Sequence, residues 1–333
     1  MKNNARFTID GKNASPALRA LLNGQLTVGD LRALSPLSEN AQKIIDDAVV
    51  EVGLDRLTVA ADIMAEGLVY PLTDPLSVLE VQWETESKQG GAQRTMHPHA
   101  RGENNASDRT QHRIPIYLTT DDFSVGVRTL RASARVGNPI DVSAVKQATR
   151  RVNEAIEDAT WNGAGITVSG NGTYGLLNHP DANAFVYGSG LAWDNVSKTG
   201  QNILDDVLGM IDVQQANKMF GPVNLYVPTK YGNKLNNDFK ANGTISILAR
   251  LQELTVGGRN LRVRVADFLP ANKTALVQMT DDVVDMIDGQ APTVIPWTAP
   301  DGFTLYWMVM AIQVPRVKSD YDGNSGVVVG YTS

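Results

Sequence analysis

From Ser87 to Arg113 the chain reads SKQGGAQRTMHPHARGENNASDRTQHR, a polar, Gly-bearing stretch with almost no large apolar residue. It is bounded by two strand-like runs, SVLEVQWET from Ser77 and IPIYL from Ile114 to Leu118. Strands flanking so long a polar excursion predict an extended hairpin arm that cannot bury itself in its own domain. Long loops without structure of their own are uncommon in compact domains and are usually functional or disordered, so the arm needs a purpose.

The rest of the chain has material for a core that could carry such an arm. Its 333 residues are 42% hydrophobic and 20% charged, enough for one elaborate domain or two ordinary ones. A net charge of -6 gives no general attraction to nucleic-acid backbones or anionic lipid. With no cysteine there is no disulfide framework, thiolate nucleophile or Cys-type zinc site, which fits a reducing compartment. The start, MKNNARFTIDGKN, lacks the apolar segment of a signal peptide. The longest apolar run, Leu305 to Val314, is about half the ~20 residues that cross a bilayer. A soluble protein, neither secreted nor membrane-spanning, is expected.

Short helices are predicted over Pro16 to Leu22 and Val28 to Leu34, and a longer one over Ser38 to Val52. The strongest helix follows Asn138-Pro139. Asp141 is a plausible N-cap, and Val142, Val145, Ala148, Val152, Ala155, Ile156 and Ala159 form one stripe. Lys146, Arg150, Arg151, Glu154, Glu157 and Asp158 are placed on the remaining, outward surface, and Asn162-Gly163 is the stop. A second amphipathic helix is expected over Gln201 to Phe220. Short helices then alternate with the strands VNLYVP and LRVRVADFL, before a strand-rich tail of TALVQM, VVDMID, PTVIPW, FTLYWMVMAIQVPRVK and GVVVGYT. This is an α+β layout rather than a regular βαβ alternation.

Gly170, Gly172 and Gly175 match the G-x-G-x-x-G spacing of a dinucleotide turn. Such a site needs a helix opening at the third glycine, and here LLNHP runs into a proline instead, so a tight turn is the better reading and a nucleotide-dependent enzyme the remote one. Glu154, Glu157 and Asp158 alternate with basic residues at i,i+3 and i,i+4, the pattern of a solvated face or subunit contact rather than a catalytic acid pair. His97, His99, Glu103, Asp108 and His112 could clasp a metal but lie in the polar excursion, and His179 has no serine and acid in a recognisable motif. Asp281-Asp282 reads as a turn between strands. No catalytic residue, metal or cofactor is implied.

Three stretches together resemble the Hong Kong 97 type fold shared by tailed-phage major capsid proteins and encapsulins. IPIYLTTDDFSVGVRTLRASARVGNPIDVSAVKQATRRVNEAIEDATWNG is similar to the family's strand, short helix and spine helix. GTYGLLNHP is similar to the turn by which the chain leaves that helix, and ALVQMTDDVVDMIDGQAPTVIPWTAPDGFTLYWMVMAIQVPRVKSDYDGNSGVVV is similar to the closing strands. The resemblance covers roughly Leu68 to the C-terminus. It implies an N-terminal arm (1–74), an E-loop with flanking strands (75–120), a peripheral domain with the spine helix (121–168), an axial domain (169–280) and return strands of the peripheral domain (281–333). The three glycines would then shape the exit from the helix.

The resemblance also gives the arm its purpose, since in this family the E-loop reaches over a neighbouring subunit. It implies identical subunits as partners, in hexamers and pentamers around double-stranded DNA, with a portal protein and, in some members, scaffolding or cement proteins. The chain would be made in the bacterial cytoplasm and end in the virion. Arg94, Arg101, Arg109 and Arg113 offer charge for intersubunit pairs, with Glu84 and Glu86 at the loop's base, although each reads equally well as a solvated charge. Arg150, Arg151, Glu154 and Glu157 are the corresponding spine-helix face. Some members weld subunits through a lysine and an asparagine; Lys88 and Asn324 lack the matching local motifs, and that chemistry is not carried over. An encapsulin shell holding a cargo enzyme is the alternative.

Overall fold

The computed structural model describes residue 49, residues 57–88, 94, 96, 107–129, 142–240, 243–298 and 303–332. The two short N-terminal helices and the longer one after them, apart from the helical Val49, lie outside the described residues, as do the Asp141 cap, Arg101, His97, His99 and Glu103.

The described helices are α1 (Val59–Ala65), α2 (Val142–Asn162), α3 (Gly200–Ala216), α4 (Thr229–Leu235) and α5 (Ile247–Gln252). The strands are β1 (Val69–Pro71), β2 (Glu80–Glu86), β3 (Arg109–Pro115), β4 (Thr119–Gly126), β5 (Thr167–Val168), β6 (Asn171–Gly172), β7 (Asn183–Val186), β8 (Val223–Pro228), β9 (Thr255–Val256), β10 (Arg259–Asn260), β11 (Arg262–Ala266), β12 (Lys273–Gln278), β13 (Val284–Thr298), β14 (Thr304–Val317) and β15 (Val327–Tyr331). VVDMID and PTVIPW, expected as two strands, form the single β13, because Gly289 and Gln290 continue the ladder instead of turning.

The chain divides into two compact units, and the division falls inside β4, α2, β13 and β14. In the first, Arg151 of α2 grips Asp121 of β4 through two nitrogens, Nε at 2.8 Å. Phe123 of β4 stacks on Trp307 of β14, with centroids 5.4 Å apart.

The second unit holds a five-stranded sheet in the order β11-β8-β12-β15-β7. VNLYVP is buried at every position, as a central strand covered on both faces must be. Helix α3 lays Ile203, Leu204, Val207, Met210 and Ile211 into a core shared with Leu225, Val227, Leu276 and Val328. Thr199 caps it, its hydroxyl accepting from Asn202 N. A buried Lys198–Asp206 pair (2.7 Å) sits at the edge of this core, and Asp206 also accepts from Trp193 Nε1 and Gly188 N.

Helix α2 follows the expected span and buries Val145, Ala148, Val152, Ile156 and Ala159. Two expectations about its faces fail. Ala155, assigned to the stripe, is exposed. Glu157, assigned to the solvated face, is fully buried: its carboxylate accepts from Val59 N (3.0 Å), Ala60 N (3.2 Å) and Trp161 Nε1 (3.2 Å). The physical reason is that α1 begins with free N–H groups and Thr58 gives no side-chain cap, so the carboxylate of α2 does that work from a distant part of the sequence. Burial raises the Glu157 pKa, and the hydrogen bonds from Val59 and Ala60 act against that rise.

The Gly-rich stretch caps the other end of α2. Ser169 and Gly170, both with positive φ, turn the two-residue ladder of β5 and β6. Gly175 lies against the helix end so closely that a Cβ would come within 2.5 Å of the Trp161 carbonyl. Leu176 N and Leu177 N donate to the carbonyls of Thr160 and Trp161, and Asn178 Nδ2 to that of Asn162. These are the carbonyls a helix C-terminus leaves unpaired. No helix opens at Gly175; the next α-helix begins at Gly200. The amides that a phosphate would need are spent on a negative helix end, which removes the dinucleotide reading of this turn.

Candidate assembly surface at the hairpin

Strands β2 and β3 pair antiparallel from Glu80↔Pro115 to Glu86↔Arg109. Alternation sends Glu80, Gln82, Glu84 and Glu86 to one face with Arg113, Gln111 and Arg109, and Val81, Trp83 and Thr85 to the other with Ile114, His112 and Thr110. The polar face closes on itself: Arg109 pairs with Glu86 (2.5 Å) and Glu84 (3.5 Å), Arg113 with Glu80 (3.9 Å), and Gln111 Nε2 donates to Gln82 Oε1 (2.9 Å). Two of the four arginines expected to bridge subunits thus already have partners within their own hairpin. Arg94 is exposed.

The apolar face anchors the arm. Val81 and Ile114 pack with Tyr117, Ala159, Ile287 and Val314 in a second core. Burial pushes the Tyr117 hydroxyl pKa above its usual value. Beneath Trp83 lies a charge that sequence reading missed. Arg316, 4% exposed, makes a two-point contact with Asp285, Nε to Oδ1 at 2.8 Å and NH2 to Oδ2 at 2.5 Å. Its guanidinium stacks 5.2 Å from the Trp83 ring and 4.9 Å from that of Tyr70. Lys318 adds a second cation to Asp285 at 2.8 Å. The signal was present in sequence: Arg316 ends a long apolar run and Asp285 interrupts VVDMID, and lone charges in buried strands require each other.

At the hairpin's far end Lys88 Nζ donates to Asp320 (3.2 Å). That hydrogen bond, with the charge behind it, raises the Lys88 pKa. Asp320 also accepts from Asn324 N (2.8 Å) and Nδ2 (2.9 Å), and although burial opposes it, these bonds and Lys88 bring its pKa below the usual carboxylate value. Lys88 and Asn324 therefore share one carboxylate, but the lysine is held protonated, the opposite of what attack on an amide requires.

Of the helix-face residues, Arg150 and Arg151 are exposed, Glu154 is half-buried, and Glu157 is withdrawn to α1. Asp281-Asp282 is a turn, as expected. Among the described residues no cluster of three or more acidic, His or Cys groups is suited to a metal, and no helix is long and apolar enough to cross a membrane.

Residues 74–330 match the profile of a family described as a family of unknown function, DUF6260. The curated proteins contain no match. Solved structures do. The capsid of Myoviridae phage XM1 superposes with a TM-score of 0.62 at 14% identity, over 81% of this chain and 91% of that one. A virus-like particle from Pyrococcus furiosus gives 0.59 at 17%, over 86% and 98%. The capsid of a native GTA particle gives 0.59 at 14%, over 83% and 91%. The fold is the Hong Kong 97 type, as the three sequence stretches implied.

Proposed function

We propose that this chain, which belongs to the DUF6260 family, is a structural shell subunit and not an enzyme. In this reading it is the major capsid protein of a tailed phage, assembling as hexamers and pentamers into an icosahedral shell around double-stranded DNA, with a portal at one vertex. Assembly takes place in the bacterial cytoplasm, with scaffolding or cement proteins as further partners. Residues 1–74 are the N-terminal arm, 75–120 the E-loop, 121–168 and 281–333 the peripheral domain and 169–280 the axial domain.

One observation carries the proposal beyond fold likeness. Where the hairpin leaves its core, Leu76, Leu79 and Leu118 are 44%, 78% and 51% exposed. A second copy is the occupant that fits, because the polar face beside them is already satisfied and the solved neighbours are particles. In this reading Arg94 and Arg101 are proposed to pair with that copy, while Arg109 and Arg113 would join only by leaving Glu86 and Glu80. The test is light scattering of the purified chain. Leu79→Lys is expected to raise the concentration for assembly at least tenfold, since burying one leucine is worth about 1.5–3 kcal/mol. Unchanged assembly would remove the leucines from the interface. Added salt is expected to weaken assembly through the arginines.

A second reading, an encapsulin-type shell around a cargo enzyme, is favoured by the virus-like particle match, which extends over 98% of that chain. Particles with DNA and a portal vertex support the phage; small empty or enzyme-filled shells support the alternative.

A further inference from the structure

A cleft of about 660 Å³, within the size range of binding pockets, lies between strand β2 and the segments 67–70, 281–285 and 316–320. One wall is apolar: Leu68, Val69, Tyr70 and Met219, with Val69 and Tyr70 36% and 43% exposed. The rest is acidic. Glu84, Asp281, Asp282, Asp285 and Asp320 face the cations Arg316 and Lys318, and both cations are committed to Asp285. Beyond the lining, Glu86 and Asp322 join the carboxylates and Lys88, Arg109 and Lys218 join the cations, so the acidic excess is smaller but keeps its sign. Lys88 is shared by Asp320 and Asp322, and Arg109 by Glu84 and Glu86. Asp281 and Asp282 differ from all of these. Both are exposed, Lys318 reaches only the main-chain carbonyl of Asp281, and among the described residues neither carboxylate has an ion pair or hydrogen bond.

Such a surface selects an occupant that carries an apolar side chain close to a cation. The hairpin tip is a segment of that kind. Residues 89–106 hold two arginines, Arg94 and Arg101, against the single acid Glu103. Met96 is 98% exposed, and Arg94 is exposed with no ion pair among the described residues. Residues two apart project to the same side of an extended chain, so Arg94 and Met96 can enter one cleft together. Neither lines the cleft of its own chain.

We propose that the cleft receives the hairpin tip of a second copy, with Arg94 on the Asp281–Asp282 turn and Met96 against Leu68, Val69 and Met219. The inference rests on the shell reading above and names a receiving surface within it. Tip and cleft are different patches, so the contact is heterologous: each copy gives its tip to one neighbour and takes the tip of another, and the series closes into a ring where the rotation allows. An exposed arginine–aspartate contact is weak taken singly and is screened by salt, and it gains strength from repetition around the ring.

The chain has no cysteine, so introduced thiols report the contact without background. Met96→Cys and Val69→Cys are made on separate full-length chains, mixed under assembling conditions and treated with a short bis-maleimide. A covalent dimer that requires both variants is expected. Charge reversal is the second arm: Arg94→Asp and Asp282→Arg should each raise the concentration for assembly about fivefold at low salt, and the two together should recover most of that loss. All of these positions are at the surface, and thermal unfolding of each variant is expected to match wild type. Particles that form without the mixed dimer, or an Arg94→Asp defect that Asp282→Arg does not rescue, overturn the assignment of the cleft and leave the shell reading in place. A chain carrying both cysteines that closes on itself at concentrations below assembly overturns the second copy as occupant. Absence of particles under every condition overturns the shell reading and this inference with it.

Discussion

The outer face of the hairpin and its root use the same chemistry at different depths. On the outer face Arg109 meets Glu86 at 2.5 Å with both side chains more than half exposed; at the root Arg316 meets Asp285 at the same distance with both about 5% exposed. Geometry alone would rank the two pairs equal. Water makes the difference, because the outer pair is screened and each partner can be solvated alone, whereas the root pair is cut off from water and breaking it leaves a buried charge short of a partner. The root pair belongs to the buried base of the hairpin, and the outer pairs lie on its solvated face.

Arg316→Ala is the harshest way to break this comparison. It leaves Asp285 with Lys318 alone and removes the platform under Trp83 and Tyr70, so a loss of about 2–4 kcal/mol is expected in denaturant unfolding. A loss below about 1 kcal/mol would mean that the root is wetter than described.

Glu157 sharpens the comparison, because among the described residues its buried carboxylate is held by N–H groups and by no cation. Glu157→Ala orphans three donors, and with about 1–3 kcal/mol for each unsatisfied buried group, a loss of at least about 2 kcal/mol is expected. The pH dependence has a definite sign. A carboxyl whose folded pKa is raised binds its proton more tightly folded than unfolded, so its contribution to stability falls as pH rises from the ordinary carboxyl value through the folded one. The stability difference between wild type and Glu157→Gln should therefore shrink, or reverse, as pH rises through that window. A difference that grows with pH would mean that the helix end holds the charged form.

Arg109→Ala should do least, costing under about 1 kcal/mol of stability and losing even that in high salt. A larger, salt-resistant cost would place the outer face in a buried contact.

How much of this could be read from residues follows the same division. The stripe of α2, its stop at Asn162-Gly163 and the strand β8 were legible because apolar periodicity and glycine chemistry are local. Glu157 was not, because α2 buries a second, polar stripe of Thr149, Asn153, Glu157 and Thr160 that periodicity assigns to solvent. Two of its three donors come from α1, whose seven residues gave no helix signal. The Gly170–Gly175 stretch showed a missing helix, and the resemblance implied its place at the exit from α2, but only the fold brings residues 176–178 to the carbonyls of Thr160 to Asn162. The pairing of Arg109 and Arg113 with their own hairpin was similarly hidden, since the strands extend farther into the polar stretch than apolar runs alone predict.

Negative-stain microscopy of the purified full-length chain tests the central claim most directly. The account predicts closed, uniform shells, lost or broken when Leu79 is replaced by lysine. A monodisperse monomer at every concentration and ionic strength, with its hairpin amides protected by its own body, would contradict it.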